Sequence, residues 1–313
     1  MSLPASLSEN LSLPLVAAPM FLVSGPKLVT ATCKAGVLGT FPSLNARPIE
    51  QLDTWLGDIN NELSEHKAAN SANPNAKTAP YGVNLIVHPS NERLLEDIAL
   101  VQQHKVPVII TSVGHPGRVV EAVHSYGGLV FHDVINMRHA QKAIEAGVDG
   151  VILVCAGAGG HAGLMNPFTF VPQVREMFDG TILLAGALSN GRAIKAAQVL
   201  GADLAYMGTR FIATSEAMAD VAYKDMLCEA QSKDIVYTDK VSGIMANFMR
   251  DSLENAGIGT SNAEADKKIK FAPEDERKAW KHVWSAGQGV GEINDSPSVE
   301  DLVSRLKTEY DAA

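Results

Sequence analysis

The sequence predicts an α/β fold: a TIM (β/α)8 barrel with an inserted, C-terminal-side helical lid region. Three observations lead there. Eight short apolar runs recur between residues 13 and 208. The stretches between them place apolar residues at helical spacing. No G-x-G-x-x-G follows the first run, which counts against a doubly wound nucleotide-binding sheet, the runner-up architecture. Strands apolar on both faces belong to parallel sheets covered by helices, and eight strand–helix units fit a closed barrel better than an open sheet.

In chain order the candidate strands are LPLVAAPM (13–20), GVLGTF (36–41), YGVNLIV (81–87), PVIITSV (107–113), GLVFHDV (128–134), GVILVC (150–155), TILLAG (181–186) and LAYMG (204–208). The helix NMRHAQKAIEAG is expected to stop at Gly147, and LSNGRAIKAAQVLGAD repeats the form with Gly201. A Gly-x-Asp step, GVD at 147–149 and GAD at 201–203, precedes the sixth and eighth strands. Residues 45–80 read as a helix followed by an Asn/Ala/Pro-rich loop. Residues 212–275 leave the alternation. They read as a helix (218–231), a short β element (234–241) and a helical, lid-like piece (243–257). Two further helices are expected around WSAGQGVGEI (284–293), packed on the barrel or on a second subunit, so a homodimer stays open. The domain division is therefore 1–211 with 276–313 as the barrel, and 212–275 as a smaller, substrate-side insertion.

Of the 313 residues, 46% are hydrophobic and the net charge is −9. That acidity argues against nucleic acid or an anionic membrane as main partner, since both reward clustered Lys and Arg. KKIK at 267–270 sits among acids and reads as a solvated helix face. The three cysteines, Cys33, Cys155 and Cys228, have no CxxC spacing, as in a reduced cytoplasmic protein. LSLPLVAAPMFLVS is too short to span a bilayer and holds two prolines, and the N-terminus lacks a basic region before it.

Barrel chemistry gathers at the carboxyl ends of strands. Read in order, those ends carry Pro19 and Met20, Phe41-Pro42, Asn84 and His88, Ser112 and His115, His132-Asp133, the loop AGAGGHAG (156–163), Gly186, and Met207-Gly208-Thr209-Arg210. No Lys stands at a strand end, which disfavours a Schiff-base aldolase. GTRF at 208–211 reads as a phosphate site with Gly208 and Thr209, or equally as a strand-to-helix turn with an N-cap at Thr209. Gly186 opens space beside it. The bare loop exposes backbone N–H groups at Gly159 and Gly160 and lets a planar ring approach. His161 could exchange a proton with a substrate stacked there, or be a surface histidine on a flexible loop. Asn84 could read a ring edge or cap its strand. Pro19 could form a ledge beneath a ring or end its strand. His88, His115, His132 and His161 could assemble a metal site, but individually hydrogen-bonded histidines are preferred and no metal is expected. Cys155 reads as a small buried side chain rather than a nucleophile.

Together APM (18–20), GVNL (82–85), AGGHAG (158–163), LAG (184–186), MGTRF (207–211) and GQGVG (287–291) make the chain resemble the nitronate monooxygenase (2-nitropropane dioxygenase) family over nearly its whole length. The resemblance implies a TIM barrel with one non-covalent FMN. It gives His161 the part of base or substrate hydrogen-bond donor. It implies cofactor contacts at Pro19, Met20, Asn84, Ser112, His132, Gly159, Gly160, Gly186, Met207, Gly208 and Thr209, with the phosphate at Gly186, Gly208 and Thr209. One departure stands out: where many members carry Gln-Gly before the AxAGGH stretch, this chain has Val154-Cys155. The activity implied is oxidation of alkyl nitronates, or nitroalkanes, by molecular oxygen. The alternatives are an NAD(P)H-dependent flavin reductase of quinones or enoyl thioesters and, in another class, a metal-dependent barrel hydrolase or isomerase.

Overall fold

The computed structural model describes residues 3–73, 76–260 and 283–313. Eight parallel strands close into a barrel: β1 (Leu15–Ala17), β2 (Leu38–Pro42), β3 (Tyr81–Ile86), β4 (Val108–Ser112), β5 (Leu129–Val134), β6 (Gly150–Val154), β8 (Thr181–Ala185) and β9 (Leu204–Met207). The last strand returns to the first, with Leu15 opposite Ala205 and Ala17 opposite Met207. Seven fall within the runs expected from the sequence, and β2 extends one residue past its run, to Pro42. A short strand, β7 (Gly160–His161), leaves the barrel between β6 and β8.

Period-two alternation sorts the strand residues into two cores. Val16, Leu38, Ile110, Phe131, Ile152, Leu183 and Leu204 fill the barrel interior. Val83, Ile109, Val130, Val151 and Ile182 point outward into the helix layer. The 21-residue helix α3 (Ile49–Ala69) buries Leu52, Leu56, Ile59 and Leu63 on one stripe, the i, i+4, i+7 spacing of an amphipathic helix. Gly147 adopts φ +82° after helix α6 (Met137–Glu145), and Gly201 adopts φ +114° after helix α8 (Gly191–Leu200), as helix stops require.

The Gly-x-Asp steps do the same job twice. Asp149 donates its main-chain N–H to Val130 O at 2.9 Å and accepts from Val130 N–H at 2.7 Å on its side chain. Asp203 repeats this with Ile182, at 2.8 Å and 2.9 Å. Each aspartate thereby pins the start of its strand to the start of the neighbouring one.

Residues 212–257 differ from expectation in one element. Helix α10 (Val221–Glu229) and strand β10 (Ile235–Thr238) form as read, but Ala246–Met249 is a strand, β11, before the short helix α11 (Arg250–Asn255). Ala246 and Phe248 enter a small core with Val241, Leu253 and Val283. Asn247, between them, points the other way, a period-two pattern that a helix cannot keep. β11 pairs antiparallel with both β10 and β7, so the barrel's own loop supplies the third strand of this sheet. Of the two C-terminal helices, the second forms as α12 (Val299–Asp311). The first, and KKIK at 267–270, lie outside the described residues. Among the described residues no helix is long and apolar enough to cross a membrane.

Candidate active site

The carboxyl ends of the barrel strands form a mouth whose backbone is held in uncommon conformations. Leu22, Val113 and Ala187, just past β1, β4 and β8, have φ of 61°, 59° and 54°. A β-branched residue such as Val113 in the left-handed region carries strain of about 1–3 kcal/mol, and such residues cluster at functional sites.

The floor of the mouth is polar. On the inward face, Asn84 donates to Ser112 Oγ at 2.7 Å and to Ile110 O at 3.2 Å. Ser112 in turn donates its hydroxyl to Asp133 Oδ2 in a short hydrogen bond. Asp133 Oδ1 is one of three buried side-chain polar atoms among the described residues with no partner. Burial pushes the Asp133 carboxyl up to about 6, against the smaller opposing pull of the Ser112 hydrogen bond. Tyr206, inward on β9, is raised well above its usual 10, first by burial and then by the charge of Asp133.

The wall is the three-stranded sheet. His161 on β7 stands opposite Ala246 of β11, and Gly160 opposite Asn247. Three side chains from distant sequence hold this strand. Asn247 Nδ2 donates to Ala158 O at 2.6 Å, Tyr237 OH donates to Ala162 O at 2.9 Å, and Ser242 Oγ lies 3.1 Å from His161 Nε2. The His161 ring keeps an accessible edge, yet the protein around it lowers its pKa below the usual 6.5 by desolvation. Solvent at that edge limits the shift. At pH 7 the imidazole is neutral and able to accept a proton.

The glycines of the bare loop serve two purposes. Gly157 and Gly159 make room for protein: a Cβ on Gly159 would come within 2.9 Å of Gly287 N, and one on Gly287 within 2.6 Å of Gly157 O. Gln288 N–H donates to Gly157 O at 2.8 Å, and Gly287 N–H donates to Thr209 Oγ1 at 2.9 Å. The GQGVG stretch is thus a clasp across the loops after β6 and β9. Gly160, with φ +68°, and Gly208 face no such demand. A Cβ on Gly160 would meet nothing within 4 Å, and one on Gly208 only Ala18 and Met20 at ordinary contact distance. At Gly186 (φ +135°) the close neighbour is Ala156 O.

Pro19, Met20, Asn84, Ser112, Gly159, Gly160, His161, Gly186, Gly208 and Thr209 lie near or past the carboxyl ends of barrel strands, with Gly208 beside Met20, Gly159 beside Thr209 and Asn84 hydrogen-bonded to Ser112. The structure corrects two expectations. His132 is not on the floor: alternation along β5 turns Phe131 and Asp133 inward, and His132 outward with Thr111, whose Oγ1 lies 2.8 Å from its Nδ1. Burial, then the neighbouring charges of His115 and His139, lower its pKa to about 4. Met207 likewise turns outward, into the core with Leu15, Phe211 and Val303, and its carbonyl accepts from Ala18 N–H at 2.8 Å. Asp133, Tyr206, Asn247, Tyr237 and Ser242, which the sequence does not single out as site residues, join this hydrogen-bonded framework, and Gly287 of GQGVG closes against it.

His88 bonds Ser90 and His115 accepts from Gly117 N–H. Among the described residues no three His, Cys, Asp or Glu side chains gather as metal ligands would. Cys155 is buried, and burial pushes its thiol up to about 12, far from a nucleophile's value. Arg210 turns from the mouth to Asp295, Nη2 to Oδ1 at 3.1 Å. An acidic cleft of about 370 Å³ lies elsewhere, lined by Asp225, Glu229, Asp251 and Glu254 of α10 and α11. Its only ionisable groups are these four carboxylates, with no histidine, cysteine or cation among its lining residues.

A family model described as nitronate monooxygenase matches residues 6–309. A nitronate monooxygenase of Paraburkholderia phytofirmans is 25% identical, covering 95% of this chain and 92% of its own. A protein of Rhodococcus jostii named as a (3aS,4S,5R,7aS)-5-hydroxy-7a-methyl-1-oxo-octahydro-1H-indene-4-carboxyl-CoA dehydrogenase is 26% identical, covering 78% of this chain and 64% of its own. Among solved structures, FabK of Thermotoga maritima superposes with a TM-score of 0.79 at 23% identity, covering 98% of this chain and 94% of its own. The nitroalkane oxidase of Streptomyces ansochromogenes gives 0.75 at 23%, covering 98% of each chain. These two likenesses show the barrel fold.

Proposed function

The chain belongs to the nitronate monooxygenase family, a family of oxidoreductases, and from that premise we propose that it binds FMN and oxidises alkyl nitronates with molecular oxygen. What supports the reading most is His161 on β7, a strand two residues long that pairs with β11 and whose flanking carbonyls accept from Asn247 and Tyr237. The residues present fit the cofactor. Gly208 lacks a side chain without any protein atom requiring it, and the space beside Gly160, whose φ of +68° itself favours glycine, is open. The floor beneath carries the polar side chains of Asn84 and Ser112, with an unpartnered Asp133 oxygen buried under them.

Pro19, Met20, Asn84, Ser112, Gly159 and Gly160 would hold the ring, and Gly186, Gly208 and Thr209 the phosphate. Bound there, FMN supplies an acceptor for substrate electrons and a donor toward oxygen. His161 orients the nitronate by hydrogen bonding and takes the α-proton when the substrate is a neutral nitroalkane. The insertion at 212–275, whose strands β10 and β11 stand beside the strand of His161, sets substrate choice. A second reading is NAD(P)H-dependent reduction of a quinone or enoyl thioester. Leu164 and Phe168, 76% and 75% exposed just beyond His161, favour it by offering an apolar landing for a larger substrate.

The deciding experiment is the visible spectrum of the purified protein, mixed without oxygen with propionate 3-nitronate in one cuvette and NADH in another. Loss of the oxidised-flavin bands with the nitronate alone supports the oxidation of nitronates. Loss with NADH alone transfers support to the reductase. Absence of flavin bands, with added FMN failing to bind, rejects both.

A further inference from the structure

We propose that Asp133 is the proton-carrying group of the barrel floor: it takes up one proton from solvent as the planar cofactor docks, and is held beneath the ring as a neutral carboxylic acid. The inference rests on the FMN reading above.

The argument starts from an accounting of donors. Asn84 uses its two amide hydrogens on Ile110 O and Ser112 Oγ. Ser112 has one hydroxyl hydrogen and gives it to Asp133 Oδ2. The chain of donors therefore runs across the floor, from β3 through β4 to β5, and ends at one oxygen of the carboxyl. Oδ1 receives nothing, although it is buried. A buried carboxylate oxygen without a donor is costly, whereas a carboxylic acid there has a hydrogen to give.

The other groups facing Asp133 supply no relief. Val154 of β6 and Ala185 of β8 are apolar members of the interior cluster. Tyr206 of β9 titrates far above neutrality and adds no positive charge. Burial and the Ser112 hydroxyl are the influences on Asp133, burial being the larger, and they leave the carboxyl near 6. At pH 7 it is mostly ionised while solvent still reaches the residue, which retains partial exposure. A ring laid over the floor removes that solvent and raises the cost of the charge further. Protonation relieves both costs: carboxylate plus a solvent proton gives a neutral acid, no electrons move, and the buried unpartnered oxygen no longer carries charge.

The test is calorimetric titration of FMN into the cofactor-free full chain at pH 7, in two buffers of different protonation enthalpy, for the native protein and for D133N. The FMN phosphate has its own second pKa of about 6, but its contribution is common to both proteins, so their difference isolates Asp133. Asparagine keeps an acceptor for Ser112 and offers an N–H where the acid offers O–H. The native protein is expected to take up close to one proton more than D133N. Its Kd for FMN should rise between pH 6.5 and 8, by up to about tenfold per pH unit relative to D133N. An infrared difference spectrum on adding FMN to the native protein should show a new carboxylic-acid carbonyl band that shifts in D2O, and this measurement decides alone if D133N does not fold. Equal proton counts, or no acid band, overturn the assignment while leaving FMN binding intact. A native protein that binds no FMN overturns the cofactor reading and this inference with it.

Discussion

The floor and the wall of the barrel mouth are fixed by different means. The floor is built from strands that neighbour one another in the barrel, and its polar chain from Asn84 to Asp133 crosses three adjacent strands. The wall is built from segments far apart in sequence: Asn247 reaches Ala158, Ser242 reaches His161, and Gln288 reaches Gly157. A floor inherited from barrel closure is rigid and costs little extra to position. A wall assembled from an insertion can change its sequence without disturbing the barrel. On the proposed function, the difference predicts that cofactor binding and substrate chemistry can be altered separately.

The sharpest break in the comparison is His161→Ala. Nitroalkane turnover should fall about 10²-fold or more, the usual worth of a positioned general base, while the flavin absorbance persists. Retained turnover in a flavin-loaded variant would reject the base. Because His161 titrates below 6.5, the acid limb of the native rate profile for neutral nitroalkanes should also lie below that pH and vanish in the variant.

The two sides of β5 give the next test. His132 faces outward with a folded pKa near 4, below its unfolded value, so the unfolded chain binds more protons between pH 6.5 and 4 and stability is lost on acidification through that window. Asp133 faces inward with its pKa raised to about 6, so it acts with the opposite sign between pH 6 and its unfolded value. His132→Asn should reduce the acid loss by up to about 3 kcal/mol without changing FMN affinity. Thermal melts across pH, with an FMN titration, measure both. A weakened flavin would return His132 to the site.

Asn247→Ala should open the wall alone. It leaves Ala158 O without its buried donor, at a cost of about 2 kcal/mol, and should lower kcat while FMN affinity holds. Denaturant unfolding and steady-state kinetics would show it, and equal losses in kcat and FMN affinity would deny the separation. Thr209→Val should have the smallest effect: Kd for FMN rising about tenfold, the worth of one hydrogen bond. Unchanged affinity, read by equilibrium dialysis, would reject the phosphate role.

The barrel was legible because a parallel strand buried on both faces is a continuous apolar run, and the Gly-x-Asp steps marked two strand starts. The same property hid which residues face inward. With both faces apolar, no alternation shows whether His132 or Asp133 points to the interior, and likewise Tyr206 or Met207. His161 could be found because its loop is bare. The reason for that bareness was only half legible. Gly160 clears space at the mouth, but Gly157 and Gly159 clear it for Gly287, some 130 residues onward, and no local pattern announces such a crossing. β11 was missed for the same reason, since its partners are β10 and the distant β7.

The clasp between Gly287, Gln288, Gly157 and Thr209 has a bearing on order of assembly. Every barrel strand precedes residue 208 in the chain, so the barrel can close before the clasp segment has been synthesised. The seam over the glycine loop is then the last part of the mouth to form. A chain cut between the barrel and the clasp would keep its strands and its histidine, yet carry a loop whose glycines, robbed of the backbone they were shaped to meet, have only their own flexibility left.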